Sequence, residues 1–229
     1  ASNDPWHFAA IREANYFIET VVPRFEKGEI EGSEVNIKHY IGEMYFLRAK
    51  NYLSKLETFG DFPIIKNTLP DENEPLTQAS KREPRHKVAR FILEDLDQTI
   101  GLLTNNISGG KNRITKNAAL LLKSRAALFE ASWLTYHRGT ALVPGGSGWP
   151  GKAEDIADFN IDTEIAFFLK EAKEAAKEVI GNAALMQNTA KDCMDETVKT
   201  DEDKYKMSNP YFAQFSANSL EGYSEILLW

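Results

Sequence analysis

The sequence predicts an all-α protein built from stacked helical hairpins with long irregular loops between them. Apolar residues recur three and four positions apart in five segments, which is the period of an amphipathic helix. Capping residues, glycines and prolines stand at the ends of these segments. No segment shows the convincing alternation of apolar and polar residues that is typical of a half-buried strand. Together these patterns favour helices packed on helices.

The first two helices are predicted from start and stop signals. Asp4 and Pro5 are typical of a helix N-terminus, and Pro23 predicts the end of this first helix. The second helix is predicted over about residues 35–59. Gly60 can adopt the left-handed conformation that ends a helix, and a proline follows three positions later.

Three further helices follow. The third is predicted over about residues 84–103, and its acidic residues are expected to face away from its apolar side. Thr115 is expected to cap the fourth helix, which should pack antiparallel to the third. Asp162 is expected to cap the fifth helix, and Gly181 is expected to end it.

The remaining segments lack a helical period and predict irregular loops at about residues 64–83, 139–161 and 182–225. Five helices in succession favour a right-handed array similar to tetratricopeptide arrays, within a single domain over residues 1–229. The chain has no clean 34-residue sequence repeat, so the predicted repetition is structural rather than literal.

Composition excludes several classes of function. The 229 residues are 42% hydrophobic and 27% charged, which is ordinary for a globular protein, and the formal charge of -7 disfavours binding to nucleic acid. No apolar run approaches the roughly 20 residues that a membrane-spanning helix needs. Cys193 is the only cysteine and the four histidines stand far apart, so the sequence predicts no disulfide, no metal site and no cofactor.

Three arginines stand within apolar helical stripes and predict ion pairs beside the core. They are Arg12, Arg48 and Arg125. Because an unpaired buried guanidinium is costly, each is expected to bind a carboxylate or the carbonyls at a helix C-terminus. The candidate carboxylates are Glu43, Glu57 and Glu130. A structural ion pair is favoured over a ligand-binding role for these arginines.

Several motifs, taken in this order, resemble the SusD/RagB family. They are Trp6 with residues 11–15, residues 42–49, the Phe-Gly-Asp-Phe-Pro run at 59–63, Pro84-Arg85 with residues 94–96, residues 113–119 and 123–126, and the late segments 209–211 and 225–226. The resemblance runs across nearly the whole chain. Family members are typically more than twice as long, so the chain is expected to be a fragment without the lipid-anchored signal sequence and the C-terminal part.

The resemblance implies a non-catalytic lipoprotein on the surface of the outer membrane. Such a protein captures glycans or other nutrients and delivers them to a SusC-like TonB-dependent transporter. The helices would then form the scaffold that faces the transporter, and loops would form the ligand pocket. The competing hypothesis is a helical-repeat scaffold for protein–protein interaction without a small-molecule ligand. An enzyme is a weaker third hypothesis, because no motif predicts catalytic residues.

Tryptophans are the best candidates for glycan contact, because their flat faces can cover the apolar C–H face of a sugar. Trp149 lies in a glycine-rich loop and cannot join a helical stripe, so it is the first candidate. Trp6, with Asn3 and His7 near it, is the second. The alternative is that these rings simply pack against the protein. The other two tryptophans, Trp133 and Trp229, are assigned to packing.

Overall fold

The computed structural model describes residues 6–107, 112–184, 215, 217–220, 223 and 226–228. Within these ranges it contains six α-helices, and the all-α prediction is confirmed. The helices are α1 (Ala9–Glu26), α2 (Glu34–Phe59), α3 (Asn73–Ala79), α4 (Arg85–Leu102), α5 (Lys116–Tyr136) and α6 (Ile161–Asn182). A short 3₁₀ helix, Ala153–Ile156, precedes α6.

The long helices pack in the order of the chain. The most extensive contacts join α1 to α2, α2 to α4, α4 to α5, and α5 to α6. Each long helix therefore packs on the one before it and the one after it, as in a helical-repeat array. The core between them is closed by fully buried side chains, among them Tyr52, Phe62, Ile92, Leu134 and Phe168.

The boundaries of α1 differ from the prediction at both ends. The helix begins at Ala9 rather than near Pro5, because Phe8, whose ring stacks on Phe62, has a non-helical backbone conformation and is the N-cap. Pro23 does not end α1, which continues to Glu26. A proline in the last turn removes only one helical hydrogen bond, and the Pro23 carbonyl still accepts from the next turn. Asp4 and Pro5 lie outside the described residues.

The ends of α6 also correct the prediction. Asn160, not Asp162, is the N-cap, and its side-chain oxygen accepts a hydrogen bond from the Thr163 N–H at 3.0 Å. Asp162 lies instead in the first turn, where its charge still favours the helix dipole. Gly181 remains helical, and the helix ends one residue later.

Two predicted caps are confirmed. Gly60 ends α2 with φ of 70°, and the Thr115 side chain accepts a hydrogen bond from the Ala118 N–H at the start of α5. The predicted loop over 64–83 is only partly irregular, because it contains α3. Pro75 is compatible with this short helix since it lies in the first turn, where backbone N–H groups have no helical acceptor. The predicted loop over 182–225 lies mostly outside the described residues.

A buried hydrogen-bond network centred on Arg48 joins three helices. The guanidinium donates from Nε and Nη2 to the two carboxylate oxygens of Asp95 on α4, at 2.8 and 2.7 Å. Its Nη1 donates to the side-chain oxygen of Asn15 on α1 at 2.8 Å. The Asn15 amide donates in turn to the carbonyl of Ile65, which follows α2. Burial raises the pKa of the Asp95 carboxyl, and the Arg48 charge opposes this effect.

The expected partners of the arginines need correction. Asp95, expected to face away from the apolar side of its helix, is the carboxylate that binds Arg48. The candidates Glu43 and Glu130 bind Arg113 and Arg85 instead, and Glu57 is exposed. A helical stripe shows which residues face inward, but the carboxylate that binds a buried arginine depends on which helix packs opposite.

Arg12 and Arg125 do not lie beside the core as expected. Both are exposed, and neither forms an ion pair within the parts of the chain that the structure describes. They stand at the outer edges of their stripes, where water solvates the guanidinium and no carboxylate is required.

We expect Arg48→Met to lower the free energy of unfolding by about 3–5 kcal/mol, because it leaves a buried carboxylate without its cation. Denaturant unfolding measures this loss, and the pKa of Asp95 should rise further. The matched control is Arg12→Met, which removes an exposed arginine and should change stability by about 0.5 kcal/mol or less. Equal stabilities of the two variants would contradict the structural role of Arg48.

His86, in the first turn of α4, is a second buried polar group. Its ring packs on Phe159 at 4.6 Å between centroids, and its Nδ1 atom has no hydrogen-bond partner among the described residues. Burial is the main cause that lowers its pKa to about 4, and the charges of Lys87 and Arg90 add to it. The imidazole is therefore neutral at neutral pH.

His86 should make stability fall with acid. A folded pKa of about 4 against an ordinary value of 6.5 means that the unfolded chain binds the proton first. Its contribution is complete above pH 6.5 and is lost as the pH falls to about 4, a change of about 3 kcal/mol. Denaturant unfolding at several pH values in this range measures how steeply the free energy of unfolding depends on pH. We expect this dependence to be weaker in His86→Leu than in the wild type. A dependence on pH in His86→Leu equal to that of the wild type would contradict the burial of a neutral imidazole at this position.

Candidate ligand-binding cleft

A cleft of about 200 Å³ opens where α2 ends, α4 begins and the glycine-rich loop after α5 returns to the protein. We call it the tryptophan cleft. Its aromatic residues are Phe59, Trp133 and Trp149, and its charged residues are Glu57, Asp61, Arg82 and Arg85. These seven side chains come from four separate parts of the chain, so the helical array must be in place before the cleft exists.

One wall of the cleft is the turn that ends α2. Arg82 donates from Nε to the Asp61 carbonyl at 2.8 Å and from Nη2 to the Phe59 carbonyl at 2.9 Å. The backbones of Phe62 and Glu83 exchange two hydrogen bonds of 3.1 Å. These bonds satisfy carbonyls left free at the helix end and hold the segments before α4 and after α2 together.

The Asp61 carboxylate connects this turn to two other elements. One oxygen accepts a hydrogen bond from the Arg85 backbone N–H at 2.8 Å. The N-cap of α4 is Pro84, which has no side-chain acceptor, so Asp61 caps that helix from another segment. The other oxygen accepts from the Trp149 indole N–H at 2.8 Å.

Arg85, which lines the cleft, belongs to a buried ion pair between α4 and α5. Arg85 donates to both oxygens of Glu130, with its shortest contact at 2.8 Å, and both side chains are almost fully buried. Burial raises the pKa of the Glu130 carboxyl, and the Arg85 charge opposes this effect. The same guanidinium lies 4.3 Å from the Trp133 ring centroid. A side chain at Gly60 would place its Cβ 3.3 Å from Arg85 Nη1, so this approach favours glycine.

The two indoles are fixed by the protein. The Trp133 indole N–H donates to the Leu142 carbonyl at 3.0 Å, and the Trp149 N–H donates to Asp61. The six-membered ring of Trp149 lies against Gly151, where an added Cβ would come within 2.2 Å of ring carbons. Both N–H groups are thus occupied, and the rings can offer a ligand only their carbon surfaces.

Of the two tryptophans expected to contact a glycan, the structure brings one to the cleft. Trp149 is half-buried and lines the cleft. Trp133, assigned to packing alone, packs and also lines it. Trp6 is not in the lining, and its ring packs edge-on against Phe59 and Phe62 at 4.8 and 4.7 Å between centroids. Trp229 lies outside the described residues.

The remaining candidates do not join the cleft. His7 is exposed and is not among the lining residues, and Asn3 lies outside the described residues. Sequence reasoning missed Asp61, Arg82 and Arg85 as cleft residues. A signal was present, because the Phe-Gly-Asp-Phe-Pro run places a carboxylate directly after a helix stop, but its partners come from distant segments.

The described residues contain no group of three or more His, Cys, Asp or Glu side chains that could hold a metal ion. Within the same parts of the chain, no helix has the length and apolar character needed to cross a bilayer. The lining of the cleft offers aromatic faces, two guanidinium groups and carboxylates.

The sequence and the fold of the chain are similar to those of known proteins. The model of a SusD-like family, described as "starch-binding associating with outer membrane", matches residues 5–128. No curated protein sequence matches the chain. A SusD-like protein from Bacteroides fragilis is similar in structure, with a TM-score of 0.59 and 20% identity, over 95% of this chain and 31% of that protein.

Two further solved structures show weaker likeness. A SusD superfamily protein from Bacteroides fragilis has a TM-score of 0.49 and 21% identity, over 76% of this chain and 29% of that protein. A SusD-like carbohydrate binding protein from Bacteroides vulgatus has a TM-score of 0.48 and 14% identity, over 77% and 30%. The chain thus spans about a third of the length of these proteins. At such identities the first likeness shows the fold and not a shared ligand.

Proposed function

Because the chain belongs to the SusD-like family of starch-binding proteins that associate with the outer membrane, we propose that its tryptophan cleft binds a glycan without catalysis. The observation that supports this most is the pair of fixed indoles, Trp133 and Trp149, in one cleft. Indole carbon surfaces suit the C–H faces of pyranose rings. Glu57 and Arg82, both exposed beside them, can bond sugar hydroxyl groups.

The state of the carboxylates supports binding rather than turnover. Both Asp61 oxygens accept hydrogen bonds from the protein, and Glu130 is buried beneath Arg85. Glu57 is left as the exposed carboxylate of the lining. Glycoside hydrolysis ordinarily uses two carboxyl groups that flank the scissile bond. These carboxylates therefore support ligand binding at the cleft rather than glycoside hydrolysis.

We expect Trp149→Ala to lower glycan affinity at least about tenfold, because it removes an aromatic surface from the lining of the cleft. Calorimetry and affinity electrophoresis against a panel of glycans, with starch-type glucans first, measure the change. Circular dichroism should show a native helix content. The control, Tyr16→Ala, removes an exposed aromatic residue of α1 and should bind like the wild type. Unchanged affinity in Trp149→Ala would remove the cleft from the proposed function.

We further propose that the protein works at the outer-membrane surface and delivers its ligand to a SusC-like TonB-dependent transporter. The family description supports the location, and the motif resemblance implies the transporter. The helical array offers a surface for this contact. Leu121 and Leu128, seven positions apart on α5, are each 52% exposed and lie on one face of the helix.

The transporter contact can be tested by co-purification. The double variant Leu121→Asp with Leu128→Asp should weaken the complex, since it replaces two exposed apolar side chains with charges, while glycan binding should remain. The control is Ile180→Asp on α6, also an exposed apolar position. An unaffected complex would exclude this face. If the wild type forms the complex but binds no glycan, the alternative of a protein-interaction scaffold replaces the proposal.

A further inference from the structure

We propose that Asp61 is a positioning residue, which holds the Trp149 indole in its binding orientation before any ligand is present. The inference deepens the proposed function and rests on it for the role of the ring in glycan binding. The statement about orientation itself rests on the geometry of Asp61, Trp149 and Gly151, and it can be tested in the absence of ligand.

The carboxylate of Asp61 is a fixed acceptor. It caps α4 by accepting the Arg85 N–H at 2.8 Å. The backbone carbonyl of Asp61 accepts a second hydrogen bond, from Arg82, at 2.8 Å. The backbone bridge between Phe62 and Glu83 fixes the next residue along the chain. These bonds tie Asp61 to the end of α2 and the start of α4. The oxygen that accepts the Trp149 N–H is therefore held in place by the helices and not by the loop that carries Trp149.

Gly151 supplies the second restraint on the ring. An added Cβ there would lie 2.2 Å from both Cζ2 and Cη2 of Trp149, so the six-membered ring rests on the glycine backbone. Gly151 does not have a positive φ, unlike Gly145 and Gly148 in the same loop. Space for the indole, and not backbone conformation, therefore demands glycine at this position.

The two restraints act on different parts of one side chain. Asp61 accepts the hydrogen bond of the indole N–H, and Gly151 lies against the neighbouring atoms of the six-membered ring. An indole restrained both by a hydrogen bond and by a backbone contact does not need to be ordered when a glycan arrives, so less conformational freedom is lost on binding. The consequence is a preorganised aromatic surface carried by a loop that is otherwise rich in glycine.

The test uses two variants that release the ring by different means. Asp61→Asn can still accept the Arg85 N–H through its amide oxygen, but its NH₂ group then faces the Trp149 N–H and the bond is lost. Gly151→Ala displaces the ring by steric conflict. The matched control is Gly101→Ala on α4, where an added Cβ meets nothing within 4 Å and φ is not positive.

The first readout is the fluorescence of Trp149 without ligand, obtained by subtracting the spectrum of the same protein carrying Trp149→Phe. We expect a red-shifted emission and stronger acrylamide quenching in Asp61→Asn and in Gly151→Ala, and neither change in Gly101→Ala. Circular dichroism melting identifies variants that remain folded. Unchanged Trp149 emission in folded Asp61→Asn would overturn the positioning role.

The second readout is glycan affinity. Loss of a hydrogen bond to a charged acceptor should reduce it about tenfold in Asp61→Asn, with a similar loss in Gly151→Ala. Wild-type affinity in both variants, despite altered emission, would overturn the claim that orientation matters for binding. Absence of glycan binding by the wild type would overturn the proposed function, and the emission data would still decide whether Asp61 positions the ring.

Discussion

Buried pairs of arginine and carboxylate between packed helices are the interaction on which this structure depends most. Arg48 joins α2 to Asp95 on α4, and Arg85 joins α4 to Glu130 on α5. Each pair is bidentate and almost fully removed from water. Such pairs add little net stability over apolar packing, but breaking one leaves a buried charge. Helices that carry them are therefore stable in the register that brings the two partners together.

The same constraint places the candidate site. Arg85 occupies the first position of α4, so its pair with Glu130 fixes the start of that helix against α5. Asp61 caps the start of α4 from the turn after α2 and also receives the Trp149 indole. The route from scaffold to site is thus a short series of hydrogen bonds, in which the ion pair fixes the helix end, the helix end fixes the carboxylate, and the carboxylate orients the ring.

Much of the fold could be predicted because its signals are local. The end of α2 at Gly60 and the capping of α5 by Thr115 depend on residues that are neighbours in the sequence. The partner of Arg48 could not be predicted in the same way, because Asp95 stands 47 positions away and pairing depends on which helices meet. Trp149 could be chosen from the sequence as a candidate for glycan contact, because a tryptophan in a glycine-rich loop cannot join a helical stripe.

Trp133 could not be predicted as a residue of the cleft, because a tryptophan at helical spacing predicts packing against other helices. The pattern does not show that the C-terminal end of α5, where Trp133 lies, borders a cleft.

Crystal structures of the protein with and without a bound oligosaccharide would test the central claim, that a frame held by buried ion pairs presents a preformed cleft. We expect sugar density between Trp133 and Trp149, with the Asp61–Trp149 hydrogen bond and the Arg85–Glu130 pair present in both states. A sugar bound elsewhere, or a hydrogen bond that forms only in the complex, would contradict it.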